Sequence, residues 1–377
     1  MGRKTRVISN VIKRTPRDGI AVQEAANEYL QTAHVKRLGD RTREEYIYEL
    51  GEFASWCGSR AMVQDRKTKA WTAVPVDDDG DLAPIFLHEV NDQVVHCYLE
   101  YIKATHKPKK GNEISDTTLG GYVRVVKTFL NWCLLDEEYS KQVQAIVIKR
   151  IKEPKIEEKV LETFTQKHIE ALFEACQQEE SEHLQLRDEA ILAVLLDTGL
   201  RAEELVTLTI GHVSTDPRDA FVKVHGKGDK WGEVGLGERA RKAVAKYIRM
   251  FREPTIEHEL HQANPKLNDR QLQQLLKQEL PQRTVFMNRY AKQLKPNGLY
   301  QIFDRLGEWA AISPDEVRCS PHTCRHTFAA NFIRQGGDIY TLSKLMRHSS
   351  VKVTEEYLKS LKQSEARRRA KSVLDNL

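Results

Sequence analysis

Ala190-Ile191-Leu192-Ala193-Val194-Leu195-Leu196-Asp197-Thr198-Gly199-Leu200-Arg201 is the stretch that decides how the chain folds. Its apolar residues fall on every side of a helix instead of along one stripe, and a helix of that kind is buried. The expected helix, roughly Leu184 to Asp197, therefore marks the centre of a helical globular domain. It stops at Gly199, a residue suited to the left-handed turn that ends many helices. The chain then delivers Arg201 beside the core, with Glu204 three residues on and placed to orient its guanidinium.

Outward from this helix the pattern stays mostly helical. Upstream, Thr165 is a plausible N-cap for a helix with Ile169, Leu172, Phe173 and Cys176 on one face. Downstream, residues 220–225 alternate like a strand, Gly226-Lys227-Gly228-Asp229 reads as a turn, and Trp231–Val234 returns as a second strand. Helices are expected near 237–251, 297–311, 321–335, 338–347 and 351–359, and the polar, glutamine-rich 253–282 reads as an inserted helical hairpin.

The N-terminal part has its own helical pattern. One helix runs from Ile20 to about Lys36 with Ala21, Ala25, Tyr29 and Leu30 a turn apart. A second starts at Thr42, which forms a capping-box pattern with Glu45, and carries Tyr46, Leu50, Phe53 and Ala54 towards Gly58. A third begins near Asn91 and a fourth near Ser115. Between them, residues 59–86 break the helical pattern. The acidic turn Asp77-Asp78-Asp79-Gly80-Asp81 beside Trp71, Val74 and Val76 indicates a small hairpin or loop insertion. At 377 residues, two domains are expected. The reading is mainly α with a small antiparallel β-sheet: a basic arm 1–19, a four-helix domain 20–148, a charged, proline-containing linker 149–160, and an α+β domain 161–377.

A hydrophobic fraction of 40% is enough for real cores, and the formal charge of +5 is mild, so its distribution matters more. Arg3, Lys4, Arg6, Lys13, Arg14 and Arg17 face only Asp18 at one end. Lys359, Lys362, Arg367, Arg368, Arg369 and Lys371 dominate the other. Basic ends suit a polyanion, because each neutralised phosphate releases condensed counterions; solvated tails would carry the same charges. Six scattered cysteines without a CxxC pair point to a reducing compartment. No apolar leader is present, and nothing approaches a run of about eighteen apolar residues. A soluble, cytoplasmic protein with no membrane partner is expected.

Two arginines, two histidines and a tyrosine then make a kit for attacking a phosphodiester. Arg201 and Arg325 have planar forks that match two phosphate oxygens and stay charged at any working pH. A tyrosine hydroxyl titrates near 10, so phenolate at neutral pH costs about 4 kcal/mol before any help from a base or cations. His322 lies three residues from Arg325, one helical turn away, and His348 lies at a helix end before Ser349 and Ser350. Either histidine can take a proton from Tyr357 or donate to a phosphate oxygen. If 351–359 is helical, Val353, Thr354 and Tyr357 share a face. Lys227, between Gly226 and Gly228, is the choice for protonating a leaving 5′-oxygen, with Lys230 its competitor. Cys319, His322, Cys324 and His326 are dense enough to resemble a metal cluster, but no second ligand pair stands apart from them, so no zinc site is expected.

Together these blocks resemble the tyrosine recombinase (phage integrase) family. The matching pieces are Asp197–Leu205, Gly226-Lys227-Gly228-Asp229-Lys230, Pro321–Ala329, His348-Ser349-Ser350 and Thr354-x-x-Tyr357-Leu358-Lys359, in the family's order. The match covers about 160–360, and the preceding helices resemble the family's core-binding domain in pattern only. The resemblance implies that Tyr357 attacks the scissile phosphate to leave a 3′-phosphotyrosyl enzyme and a free 5′-hydroxyl. Arg201, Arg325 and His348 would bind the phosphate, His322 would assist Tyr357, and Lys227 would protonate the leaving oxygen. It further implies double-stranded DNA recombination sites as partners, a homotetramer acting through a Holliday junction, accessory DNA-bending or directionality proteins, and no metal or nucleotide cofactor. The two domains would clamp the duplex. Arg347 departs from the pattern by standing where the family usually has glycine. The insertions and basic arm make the chain larger than compact chromosome-dimer-resolving members, which favours an integrase or transposase of a mobile element. The alternatives are a type IB topoisomerase-like enzyme and a DNA-binding protein of the same fold that has lost catalysis.

Overall fold

The computed structural model describes residues 19–65, 68–76, 84–108, 113–155, 162–226, 230–348 and 350–359. The chain separates into two compact units, divided between Glu158 and Lys159. Both are mainly helical with a small antiparallel sheet. No described helix is long and apolar enough to cross a membrane.

The first unit opens with α1 (Val22–Gln31), which buries Val22, Ala25, Ala26 and Tyr29 at helical spacing. A short turn, α2 (Ala33–Lys36), leads to α3 (Asp40–Gly58). Helix α3 starts two residues before the expected Thr42. Asp40 supplies the acidic first turn and pairs with Arg43 at 2.8 Å, so Thr42 lies exposed inside the helix and the capping box is not used. Strands β1 (Arg60–Gln64) and β2 (Trp71–Pro75) pair antiparallel from Arg60↔Pro75 to Gln64↔Trp71. The hairpin therefore turns at 65–70, where the amide of Thr68 donates to Asp65 Oδ1 at 2.7 Å, and not at the acidic run. Residues 77–83 lie outside the described residues.

Helix α4 (Asp92–Thr105) is capped by the Asn91 side chain, and α5 (Asp116–Leu135) by Ser115. Their buried faces, with Leu50, Phe53 and Trp56 of α3, form one core around Tyr29, Tyr98 and Phe129. The chain leaves this unit later than residue 149. Lys149 and Arg150 close α6 (Ala145–Arg150), and Ile151, 2% exposed, packs into the same core.

In the second unit, Thr165 caps α7 (Gln166–Cys176), accepting from the His168 amide at 3.2 Å. Helix α8 (Glu182–Thr198) is buried around its circumference and packs against α7 and the later helices Glu238–Tyr247 and Pro321–Arg334. It ends at Gly199, whose φ of 59° is the left-handed cap. After α9 (Ala202–Val206) comes a meander of β3 (Val213–Asp216), β4 (Asp219–Gly226) and β5 (Lys230–Gly235). Strand β3 is an addition to the expected pair; at four residues, Val-Ser-Thr-Asp, it is too short for alternation to reveal.

Helix α10 (Glu238–Tyr247) continues through a π-helical turn, Ile248–Arg252, into α11 (Glu253–Ala263). With α12 (Asp269–Glu279) it forms the expected helical hairpin, closed on its own small core of Ile256, Leu260, Leu272 and Leu276. Helix α13 (Pro296–Trp309) and α14 (Pro321–Arg334) each start with proline in the first turn. The described chain ends with α15 (Ile339–Leu345) and α16 (Val351–Lys359).

Candidate active site

Three pieces of chain meet around the turn between α15 and α16. The first is Arg201, held by the left-handed end of α8 at the N-cap of α9. Its amide donates to Glu204 Oε2 at 2.8 Å and its Nη1 to Glu204 Oε1 at 2.9 Å. Its Nη2 donates to the carbonyl of Arg347 at 3.2 Å. The side chain stays 40% exposed, so the fork is oriented from behind and open in front. Glu204 thus orients Arg201 as its spacing implied.

The second is Arg325, one turn into α14, whose N-terminus is capped by Ser320. Arg325 is 3% exposed. Its Nη1 donates to the Gly199 carbonyl and its Nη2 to the Met346 carbonyl, tying the ends of α8 and α15 together. Nη2 also lies 3.0 Å from His348 Nε2.

That last contact settles the state of the third piece. A guanidinium only donates, so His348 Nε2 must accept and the ring proton sits on Nδ1. Nδ1 lies 2.8 Å from Oγ1 of Thr354 and donates to it. His348 is therefore neutral, and its pKa is pushed down to about 4 by burial and by the guanidinium groups of Arg325, Arg201 and Arg347, against the opposing charge of Glu204. Burial opposes ionisation of Glu204 itself, but the hydrogen bonds and charges of Arg347 and Arg201 outweigh it and hold that carboxyl below its usual pKa.

His322 sits exposed in the first turn of α14, above buried Arg325. The surrounding protein mass and the charges of Arg325, Arg201 and Arg318 lower its pKa. Its ring meets that of His326 edge to face, with centroids 4.4 Å apart. His326 is partly buried, and burial together with His322 and Arg325 brings its pKa down to about 4.

Position 357 lies on the backbone of α16, one turn after Thr354; the side chain of Tyr357 lies outside the described residues. The expected common face of Val353, Thr354 and Tyr357 does not hold for the first two. Val353 is 44% exposed whereas Thr354 is fully buried, because Thr354 is the residue that faces His348. Lys227 also lies outside the described residues. The flanking pair Gly226↔Lys230 closes the β4–β5 ladder on either side of it, and the Lys230 side chain is likewise not described. Cys324 is buried and its thiol is pushed well above its ordinary range, and among the described residues no group of three or more His, Cys, Asp or Glu is placed to hold a metal.

Sequence reasoning missed three contributors. Thr354 stands in the sequence as a helix position and as part of the Thr354-x-x-Tyr357 match, with nothing to mark its hydroxyl as an acceptor for His348. Arg347 was noted as a departure, but its partner Glu204 lies 143 residues away. His326 carries no role in the sequence beyond the metal candidate and its place in the Pro321–Ala329 match, although its spacing of four from His322 does predict contact between the rings.

Comparison with known proteins shows the family. The model of the phage integrase family matches residues 162–364. Among curated proteins, the chain is 29% identical over 255 residues to tyrosine recombinase XerD of Xanthomonas campestris pv. campestris, covering 68% of this chain and 69% of that one. It is 26% identical over 247 residues to tyrosine recombinase XerC of Bacillus subtilis, covering 65% and 70%. Among solved structures, XerH recombinase bound to its palindromic difH substrate aligns with a TM-score of 0.62 at 15% identity, over 97% of this chain and all (100%) of that one. A transposon integrase, that of Tn1549 in complex with circular-intermediate DNA, aligns with a TM-score of 0.61 at 16% identity, over 95% and 100%.

Proposed function

From the premise that this chain belongs to the phage integrase family, and is a tyrosine site-specific recombinase, we propose that the residues around the Met346–His348 turn are its catalytic centre and that it is the integrase or transposase of a mobile element. One observation carries the assignment of the site. Two guanidinium groups from distant segments, Arg201 and Arg325, are anchored to carbonyls of the same turn that presents His348. Such a cluster suits a phosphodiester, whose non-bridging oxygens gain charge in the transition state.

In this reading the scissile phosphate of a double-stranded recombination site sits against Arg201, Arg325 and His348. Tyr357 attacks phosphorus as the bond to the 5′-oxygen breaks. His322, whose pKa is lowered by the surrounding protein and by its cationic neighbours, accepts the phenolic proton. Lys227 supplies a proton to the departing 5′-oxygen. The product is a 3′-phosphotyrosyl enzyme and a free 5′-hydroxyl, and the energy of the diester is retained in the covalent link. Attack by a 5′-hydroxyl from a second site reverses these steps and exchanges strands. Four protomers on two sites complete a Holliday junction in this scheme.

A nicked suicide substrate tests the chemistry. The wild-type chain is expected to become covalently joined to DNA, and Tyr357→Phe to bind DNA without joining; an adduct with Tyr357→Phe refutes the nucleophile. The mobile-element role is supported by the added parts, the β1–β2 and α11–α12 hairpins. Its competitor is a chromosomal recombinase like the XerC and XerD relatives. A circle bearing the joined ends of the surrounding element should be inserted into a target. Activity confined to resolving directly repeated chromosomal sites would favour the competitor.

A further inference from the structure

Arg347, within the turn that presents His348, has no part in these steps, yet it is built into the site. Its φ of 54° lies in the left-handed region, where a side chain is strained and glycine is not. Its guanidinium turns inward: Nε and Nη2 donate to the two oxygens of Glu204 at 3.1 and 2.7 Å, and Nη1 donates to the Leu345 carbonyl at 2.6 Å. The side chain is 9% exposed. The same carboxylate holds Arg201, and the carbonyl of Arg347 accepts from Arg201 Nη2. The stem crosses β5 at Gly232, where a Cβ would come within 2.9 Å of Arg347 Cδ, so strand and arginine are fitted to one another.

We propose that Arg347 is a positioning residue: by clamping both oxygens of Glu204 it fixes the direction of the Arg201 fork and the turn that carries His348. The inference rests on the roles assigned above to Arg201 and His348. A carboxylate gripped by two guanidinium groups has no freedom to rotate. Released by one, it is free to follow the other, and Arg201 loses the orientation that leaves its open side towards the phosphate. A lysine does not replace this grip, since an ammonium lacks the planar fork that meets both oxygens. The charge acts on His348 as well, alongside Arg325 from α14, Arg201 and Glu204 from α9 and its approach, and Thr354 from α16.

The test uses the full chain, with adduct formation on a nicked suicide substrate measured in a single turnover. Arg347→Gly should fold and bind duplex normally, because glycine accepts the left-handed backbone. It should form the adduct about ten- to a hundredfold more slowly, the size expected when a reacting group is misaimed. Arg347→Lys should remain slow. In a Glu204→Gln background, adding Arg347→Gly should slow the reaction less than about twofold, because both changes break one linkage. A wild-type rate for Arg347→Gly, or losses that multiply in the double variant, would overturn the proposal. Histidine-resolved NMR titration of the DNA-free protein gives a readout without turnover. In Arg347→Gly the His348 pKa should rise from about 4 towards 6.5, and an unchanged titration also overturns the proposal. A wild-type chain that forms no adduct, with the titration moving as expected, counts instead against the catalytic roles.

Discussion

Thr354→Val removes one hydroxyl at the centre of the site and leaves the volume nearly unchanged. Thr354 is fully buried, and its Oγ1 is the acceptor for Nδ1–H of neutral His348 at 2.8 Å. Valine leaves that N–H without its partner, at a cost of about 1–3 kcal/mol. The additional buried methyl offsets up to about 0.8 kcal/mol. A net loss of about 1–2 kcal/mol corresponds to a fall of roughly 3–6 °C in melting temperature for a unit of this size. The same change removes a hydrogen bond that holds the ring from the α16 side, so the orientation of His348 loosens. Adduct formation on a suicide substrate should fall about tenfold, equivalent to about 1.4 kcal/mol of misplaced transition-state contact. Scanning calorimetry and single-turnover adduct assays of the full chain read the two effects, and Thr354→Ser, which keeps the hydroxyl, should recover most of the rate. If Thr354→Val melts within about 1 °C of wild type and reacts at the wild-type rate, the tautomer argument is wrong.

Three further outcomes are expected. His348 and His326 titrate at about 4 in the folded protein against 6.5 unperturbed. The unfolded chain therefore binds more protons in that window, and their contribution is complete above pH 6.5 and lost as pH falls towards 4. Melting temperature should decline across the window, less steeply in His326→Gln; parallel slopes in the two proteins would count against a buried neutral His326. Gly199→Ala should destabilise the second unit by about 2–4 kcal/mol, from left-handed strain plus overpacking, because its Cβ would fall 2.5 Å from Phe328 Cδ1. Denaturant unfolding measures this, and a change below about 1 kcal/mol would show that the cap relaxes. Lys227→Ala should slow cleavage, and a substrate with a 5′-bridging sulfur, a leaving group that needs no proton, should rescue it. Rescue of Lys230→Ala instead would move the acid role to Lys230.

Much of the fold was legible because its signals are local. The all-round apolar helix before Gly199, the cap at Thr165, the helix starts near Asn91 and Ser115, and the alternation of 220–225 each depend on residues a few positions apart. Where local signals competed, the reading slipped. Asp40 started α3 before Thr42, and Asp65 with Thr68 made the hairpin turn that the later acidic run had suggested. Strand β3 exists because β4 offers it partners, and four residues carry no periodicity of their own.

The site divides in the same way. By itself the sequence determined the inventory, because side-chain chemistry travels with residue type: two forks for phosphate oxygens, histidines for protons, a tyrosine to attack, and Glu204 within one turn of Arg201. Only the tertiary structure decided who holds whom. Arg325 reaches Gly199 across 126 residues and selects the tautomer of His348, Arg347 reaches Glu204 across 143, and Thr354 accepts the ring proton that this tautomer presents. Those contacts follow from how α8, α14 and α16 pack, and no spacing along the chain encodes them. The protonation state of His348 belongs to that class too, since it is set by burial and by cations that converge on it from distant segments.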